Sequence, residues 1–150
     1  MIKQILVAVD GSENSLRALD FALDLTEKYD ASLTILNVSE SVALSAVPQD
    51  PSAISIERLV TFNKELNKIH ENILKKAFLH AQESKPNMTV TSKLREGNPA
   101  YQIIAEAKES GCDVIVVGHK GVGKVKEFLG LGGISEKVVH NAPCPVIIVR

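Results

Sequence analysis

Two glycine clusters near the carboxyl end carry the residues best suited to chemistry. The apolar run Asp113-Val114-Ile115-Val116-Val117 breaks at Gly118-His119-Lys120-Gly121, and ten residues later Gly132-Gly133 lead into Ile134-Ser135. Glycines let a backbone approach a ligand closely and reach dihedrals that other residues avoid. A helix opened by Ser135 would present unpaired N–H groups at the positive end of its dipole, a combination that favours phosphate. The pattern predicts a backbone cradle for a nucleotide phosphate tail, and Lys120, Lys124 and Lys126 add local positive charge. In Val9-Asp10-Gly11-Ser12, Asp10 is placed to hold a ribose hydroxyl or a bound cation. Turn-making and helix capping are the ordinary uses of an Asp in that setting.

Other motifs carry less. Gly118, four residues, then Gly123-Lys124 imitates a P-loop, but Val125 stands where the magnesium-binding Ser/Thr belongs, and the motif follows the fourth strand. The GxGxxG spacing of a dinucleotide fold also fails, because residue 126 is Lys126. His70 and His80 fall on a long predicted helix and His140 near the end of the last one, with no ligand spacing among them. His119 is a candidate general base, although a histidine beside a loop more often does nothing chemical.

These residues need a scaffold. Ile2 to Val9 is a nearly continuous Ile/Leu/Val run and predicts a strand buried on both faces. Ser12 or Asn14 caps a helix to about Tyr29, with Leu16, Ala18, Leu19, Ala22, Leu23 and Leu25 as its apolar face. Leu33 to Val38 is a second strand, so the unit is βαβ, parallel and right-handed. Residues 39–55, with Pro48 and Pro51, predict a surface loop. A long helix follows from Ile56, its stripe formed by Leu59, Phe62, Leu66, Ile69, Ile73 and Ala77. Met88 to Leu94 alternates like an edge strand with one wet face. Asn98 as N-cap and Pro99 at the first helical position start a third helix, ended by Gly111, with Ile103, Ile104 and Ala107 inward. A strand over 112–117, a helix over about 133–140 and a strand over 146–149 complete the chain. Cys112 and Cys144 precede the last two strands and are expected to be buried neighbours at the sheet edge opposite the phosphate cradle.

The bulk numbers agree with a single α/β domain. The chain has 150 residues, 45% of them apolar and 23% charged, ordinary values for a packed globular chain. A net charge of −1 removes the electrostatic case for nucleic acid or an anionic membrane surface as the main partner. No apolar run approaches the roughly 20 residues that span a bilayer. Two cysteines and no export signal point to the cytoplasm. In an open parallel sheet, ligands bind beyond the carboxyl ends of the strands at the switch in strand order, where the segments after strands one, two and four converge.

The whole chain resembles a universal stress protein domain. The resemblance runs from Ile5-Leu6-Val7-Ala8-Val9-Asp10-Gly11-Ser12 through Gly97-Asn98-Pro99 and Asp113-Val114-Ile115-Val116-Val117-Gly118. It continues to Ser135-Glu136-Lys137-Val138-Val139 and Ala142-Pro143-Cys144-Pro145-Val146. Nucleotide-binding members of that family carry glycine, two residues, glycine, nine residues, then glycine followed by Ser or Thr. This chain has ten residues in the loop and Gly133 where the hydroxyl belongs; Ser135 stands two positions later. A missing hydroxyl costs about one hydrogen bond, on the order of 1 kcal/mol, while backbone donors of an anion nest are unaffected.

The resemblance implies an adenine-nucleotide alpha-hydrolase-like fold: one open five-stranded parallel sheet, order 3-2-1-4-5, with helices on both faces. It implies a nucleotide site of Val9, Asp10, Val38, Gly118, Lys120, Gly121, Gly132, Gly133, Ile134 and Ser135. There Val38 meets the adenine edge and Asp10 lies near the ribose or a nucleotide-bound Mg or Mn. The ligand implied is ATP, or AMP or ADP in the same site. A homodimer paired through Val146–Val149 is implied as well. The function expected is a regulatory, stress-response ATP-binding protein in which occupancy signals and turnover is slow or absent. The alternative is a nucleotide-free dimeric interaction module. An adenylate-forming enzyme would need a signature after the first strand that Asp10-Gly11-Ser12-Glu13-Asn14-Ser15 does not supply.

Overall fold

The computed structural model describes residues 1–42, 56–119 and 133–150. Most of the predicted 39–55 loop, and Lys120, Gly121, Lys124, Lys126 and Gly132, lie outside the described residues.

Five strands form one parallel sheet: β1 (Gln4–Ala8), β2 (Ser32–Ser39), β3 (Val90–Glu96), β4 (Val114–Gly118) and β5 (Val146–Val149), in the order β3-β2-β1-β4-β5. The first strand is shorter than the Ile2–Val9 run, but Val9 stays in register through its N–H on the Leu36 carbonyl at 2.9 Å. Among the described residues, four helices cover the sheet: α1 (Glu13–Tyr29), α2 (Ile56–Ser84), α3 (Pro99–Ser110) and α4 (Ile134–Asn141).

The alternation of strand side chains sorts the core into two layers. Ile5, Val7, Val9, Leu33, Ile35, Val114 and Val116 face α1 and α2, where Ala18, Leu19, Ala22, Leu23, Ala77 and Ala81 meet them. Leu6, Leu36, Ile115 and Val117 face α3 and α4 through Ala100, Ile103, Ala107 and Val138. Burying each large aliphatic side chain is worth about 1.5–3 kcal/mol, so continuous Ile/Leu/Val runs become central strands covered on both sides. β3 lies at the edge with Thr91, Ser92 and Lys93 exposed.

The caps follow the local chemistry. The Ser12 side chain accepts the Ser15 N–H and opens α1; the Asn98 side chain accepts the Tyr101 N–H and opens α3 just before Pro99. Gly111 ends α3 at φ 63°, a left-handed angle that glycine adopts at little cost.

Two helix faces differ from the apolar count. Leu16 is exposed, because Ser15 beside it is turned inward to serve the α1 cap. In α2, Phe62 is 48% and Ile69 55% exposed. The inward row is Leu59, Asn63, Leu66, His70, Ile73, Ala77 and Ala81: it keeps Leu59, Leu66, Ile73 and Ala77 of the predicted stripe, with Asn63 and His70 in place of Phe62 and Ile69. Asn63 and His70 turn inward because Val42, just past β2, and Asn37, on β2, offer them hydrogen-bond partners.

Candidate functional site

Strand register brings the candidate residues to one edge. Val7 pairs with Val116, Ala8 with Leu36, and Gly118 with Val149. Continued one step past Ala8 and two past Val7, the same ladder sets Val9 level with Asn37 and Gly118. The carboxyl ends of β2, β1, β4 and β5 thus form a row, with Val38 and Asp10 one residue beyond it.

Asp10 organises the turn between β1 and α1. Its Oδ1 accepts the Ser12 N–H at 2.9 Å, and its own N–H donates to Ser15 Oγ at 3.2 Å. The Ser15 hydroxyl in turn donates to the Ser12 carbonyl at 2.9 Å. Gly11 takes φ +84°, which a residue with a Cβ reaches only under strain. The carboxylate is therefore held in place by a rigid loop, beside the N-terminus of α1. Among the described residues no three His, Cys, Asp or Glu groups gather closely enough to hold a metal ion.

Beside this turn lies a polar network that the sequence reading passed over. Asn37 is buried, and its side-chain nitrogen donates to the Val9 carbonyl at 2.7 Å. With the nitrogen committed, Asn37 Oδ1 must accept, so His70 carries its proton on Nδ1, 2.7 Å away. Two residues beyond Asn37, the buried Ser39 hydroxyl donates to Asn67 Oδ1 at 2.7 Å. Past the strand, Asn63 Oδ1 accepts the Val42 N–H at 3.0 Å and Asn63 Nδ2 donates to the Val42 carbonyl at 3.2 Å. Three polar residues of α2 thus fasten the exit of β2. The signal for this was Asn37 itself: an amide inside the apolar run Leu36–Val38 must find partners when buried.

On the other side of β1, Gly118 is a close-packing residue. A Cβ built on it would lie 2.8 Å from the Asn14 carbonyl carbon and 2.9 Å from the Asn14 oxygen. The end of β4 therefore rests on the first turn of α1, a reason for glycine independent of any ligand. The N–H of the next residue, His119, donates to the Val149 carbonyl at 2.8 Å.

The start of α4 corrects one expectation. The helix is capped by Gly133, at φ −63° and ψ 165° with no side-chain cap; Ser135 is in the first turn. The Ser135 hydroxyl donates to the His119 carbonyl at 3.3 Å, which docks that turn against the end of β4. The backbone N–H groups of Ile134, Ser135 and Glu136 are first-turn donors without an intrahelical partner. Of the predicted site residues, Val9, Asp10, Val38, Gly118, Gly133, Ile134 and Ser135 share this edge. Lys120, Gly121 and Gly132 lie outside the described residues.

Residues 1–150 match the universal stress protein family. The chain belongs to that family. It is 37% identical over 155 aligned positions to the universal stress protein YxiE of Bacillus subtilis, covering all of both chains. Among solved structures it resembles the universal stress protein UspA of Lactobacillus plantarum, with a TM-score of 0.78, 25% identity, and coverage of 99% of this chain and 98% of that one. It also resembles a universal stress protein in complex with cAMP, with a TM-score of 0.72, 24% identity, and coverage of 99% and 97%.

Family membership agrees with the observed sheet order and with helices on both faces. Within the universal stress protein fold, the edge bearing Val9, Asp10 and Asn37 is the one where parallel sheets bind ligands. Among the described residues no helix is long and apolar enough to cross a membrane.

Proposed function

We propose that this universal stress protein binds an adenine nucleotide, ATP in the first instance, at the carboxyl edge of its sheet. Occupancy is the signal, with little or no turnover. The observation that carries the reading is the docking of α4 by Ser135 on His119. It sets first-turn N–H donors beside the carboxyl end of β4, the strand paired with β1. Backbone donors at a helix start favour phosphate, and the cAMP of one solved relative is an adenine nucleotide on the same fold.

In this reading the main chain of Val38 meets the adenine edge, and Val9 and Asp10 flank the ribose, with Asp10 near a nucleotide-bound Mg or Mn. Gly118, Lys120, Gly121, Gly132, Gly133, Ile134 and Ser135 serve the ribose and phosphates; ADP and AMP would use the same contacts in part. The protein acts in the cytoplasm as a homodimer. β5 is the last strand of the sheet and Ile148 on it is exposed; antiparallel pairing of Val146–Val149 between two copies would cover that edge.

Isothermal titration of nucleotide-stripped protein with ATP and magnesium, with chromatography for products, tests the reading. Micromolar binding with intact ATP is expected. Gly121→Val and Gly132→Val are each expected to abolish binding while fold and dimer survive; unchanged affinity in both would remove the site assignment. One observation favours a second reading, a nucleotide-free dimeric interaction module: the Ser135 hydroxyl already has a protein acceptor and Gly133 brings no hydroxyl. No heat and no co-purified nucleotide would support that module instead.

A further inference from the structure

The chain's two cysteines meet at the opposite edge of the sheet. Cys112 follows the Gly111 cap of α3, is buried, and its N–H donates to the Ala107 carbonyl at 3.2 Å. Cys144 lies between Pro143 and Pro145, each of which fixes its own φ, and the Pro145 carbonyl accepts the Ile115 N–H at 3.0 Å. Both cysteines are therefore held by backbone that has little freedom. Their sulfurs are free thiols 3.6 Å apart, with Cys144 the more exposed. A disulfide requires about 2.0 Å between sulfurs, so an approach of roughly 1.5 Å would join them.

We propose that Cys112 and Cys144 are an oxidative modification site, forming a reversible intramolecular disulfide with a two-electron oxidant such as hydrogen peroxide. The bond ties the edge strand β5 to β4 at their amino ends. The Cys144 thiolate attacks one peroxide oxygen; an S–O bond forms, the O–O bond breaks, and hydroxide leaves. The Cys112 thiolate then attacks the Cys144 sulfur; the S–S bond forms, the S–O bond breaks, and a second hydroxide leaves. The two thiol protons neutralise the two hydroxides. Two thiols and one peroxide give one disulfide and two waters.

The surroundings set the pace. Burial pushes the Cys112 thiol up to about 12, with the neighbouring Cys144 adding to the rise, and burial raises Cys144 too. The thiolate is the nucleophile, so the pair is sluggish at neutral pH. The rate of its oxidation is expected to climb about tenfold per pH unit while both groups are mainly protonated.

The test uses the reduced full-length chain with hydrogen peroxide at mildly alkaline pH. Expected are loss of both free thiols and an intact mass lower by two hydrogens. The peptide map should show one cross-link between Cys112 and Cys144 on a chain that stays monomer-sized in a denaturing gel, all reversed by dithiothreitol. A Cys112→Ser chain should stop at a Cys144 sulfenic acid that dimedone captures. Persistent thiols, addition of oxygen without cross-linking, or a cross-link between chains would each overturn the proposal.

Discussion

The side chain of Asn37 links β2 to β1 at the site edge: its amide nitrogen is 2.7 Å from the Val9 carbonyl. That carbonyl belongs to the peptide that leads into Asp10, so a β2 residue, itself held by His70 on α2, fixes where the candidate carboxylate begins. Asn37→Leu, close in size, would strand the buried Val9 carbonyl and the half-buried His70 N–H. Each unsatisfied partner costs about 1–3 kcal/mol, so urea denaturation should show a loss of about 2–4 kcal/mol. His70→Ala should cost less, about 1–2 kcal/mol, because His70 is only half-buried. The double variant should cost less than the sum by at least about 0.5 kcal/mol; strict additivity would show that the two side chains act separately.

Gly118→Ala tests the packing of β4 on α1. The new methyl would press on backbone atoms of Asn14 at 2.8 and 2.9 Å, and a capped helix start cannot yield as a side chain end would. A loss of about 1–3 kcal/mol is expected, measurable in nucleotide-free protein by chemical denaturation. Unchanged stability there, with weakened ATP binding, would instead make Gly118 a ligand-contact glycine.

Much of this was legible from residue order. Ile5-Leu6-Val7 and Val114 to Val117 announce central strands because only burial on both faces suits continuous aliphatic runs. Asn98-Pro99 and Gly111 bracket α3 because a cap, a proline and a left-handed glycine each suit one helix position. The α2 face was misread because Phe62 and Ile69 complete an apolar spacing as well as Leu59 and Leu66 do. Their neighbours Asn63 and His70 turn inward for hydrogen bonds that belong to another element, and periodicity within one helix cannot contain that information. The same holds for the start of α4. Gly133 and Ser135 are both acceptable N-caps, and the contact that engages the Ser135 hydroxyl is the carbonyl of His119, sixteen residues away.

Acid sensitivity should centre on Glu106. This α3 carboxylate is buried, with Lys93 Nζ at 2.6 Å and Arg95 at 2.8 Å reaching it from β3. Burial alone would push the carboxyl up, but hydrogen bonds and charge from Lys93 and Arg95 outweigh it and hold it below the usual glutamate range. A folded value below the unfolded one means the stabilisation is complete above the unfolded value, about 4.3. It is lost as pH falls through the folded value. Asp113, which accepts the N–H groups of Lys3 and Gln4, is also lowered and carries the same sign. Stability is therefore expected to be flat near neutrality and to fall on acidification below about pH 4.3. Glu106→Gln should make that acid limb shallower. At neutral pH it should cost about 2–4 kcal/mol, nearer the lower figure because Lys93 is half exposed and can rehydrate. An acid limb identical to that of the parent chain would exclude Glu106 as its source.

Gly133→Ser separates helix capping from nucleotide binding. The residue's φ of −63° and ψ of 165° are open to any L-amino acid, so nothing in the backbone demands glycine. A serine there can accept a first-turn N–H and should raise stability by a few tenths of a kcal/mol over glycine. Its O–H remains a donor while its oxygen accepts, and one further hydrogen bond to phosphate is worth about 1 kcal/mol, roughly fivefold in affinity. Titration with ATP and magnesium is expected to show that tightening, alongside a small rise in denaturation midpoint without nucleotide. If the midpoint rises and the affinity does not, the hydroxyl serves the helix alone. Any phosphate contact at the start of α4 then rests on the backbone N–H groups of its first turn alone.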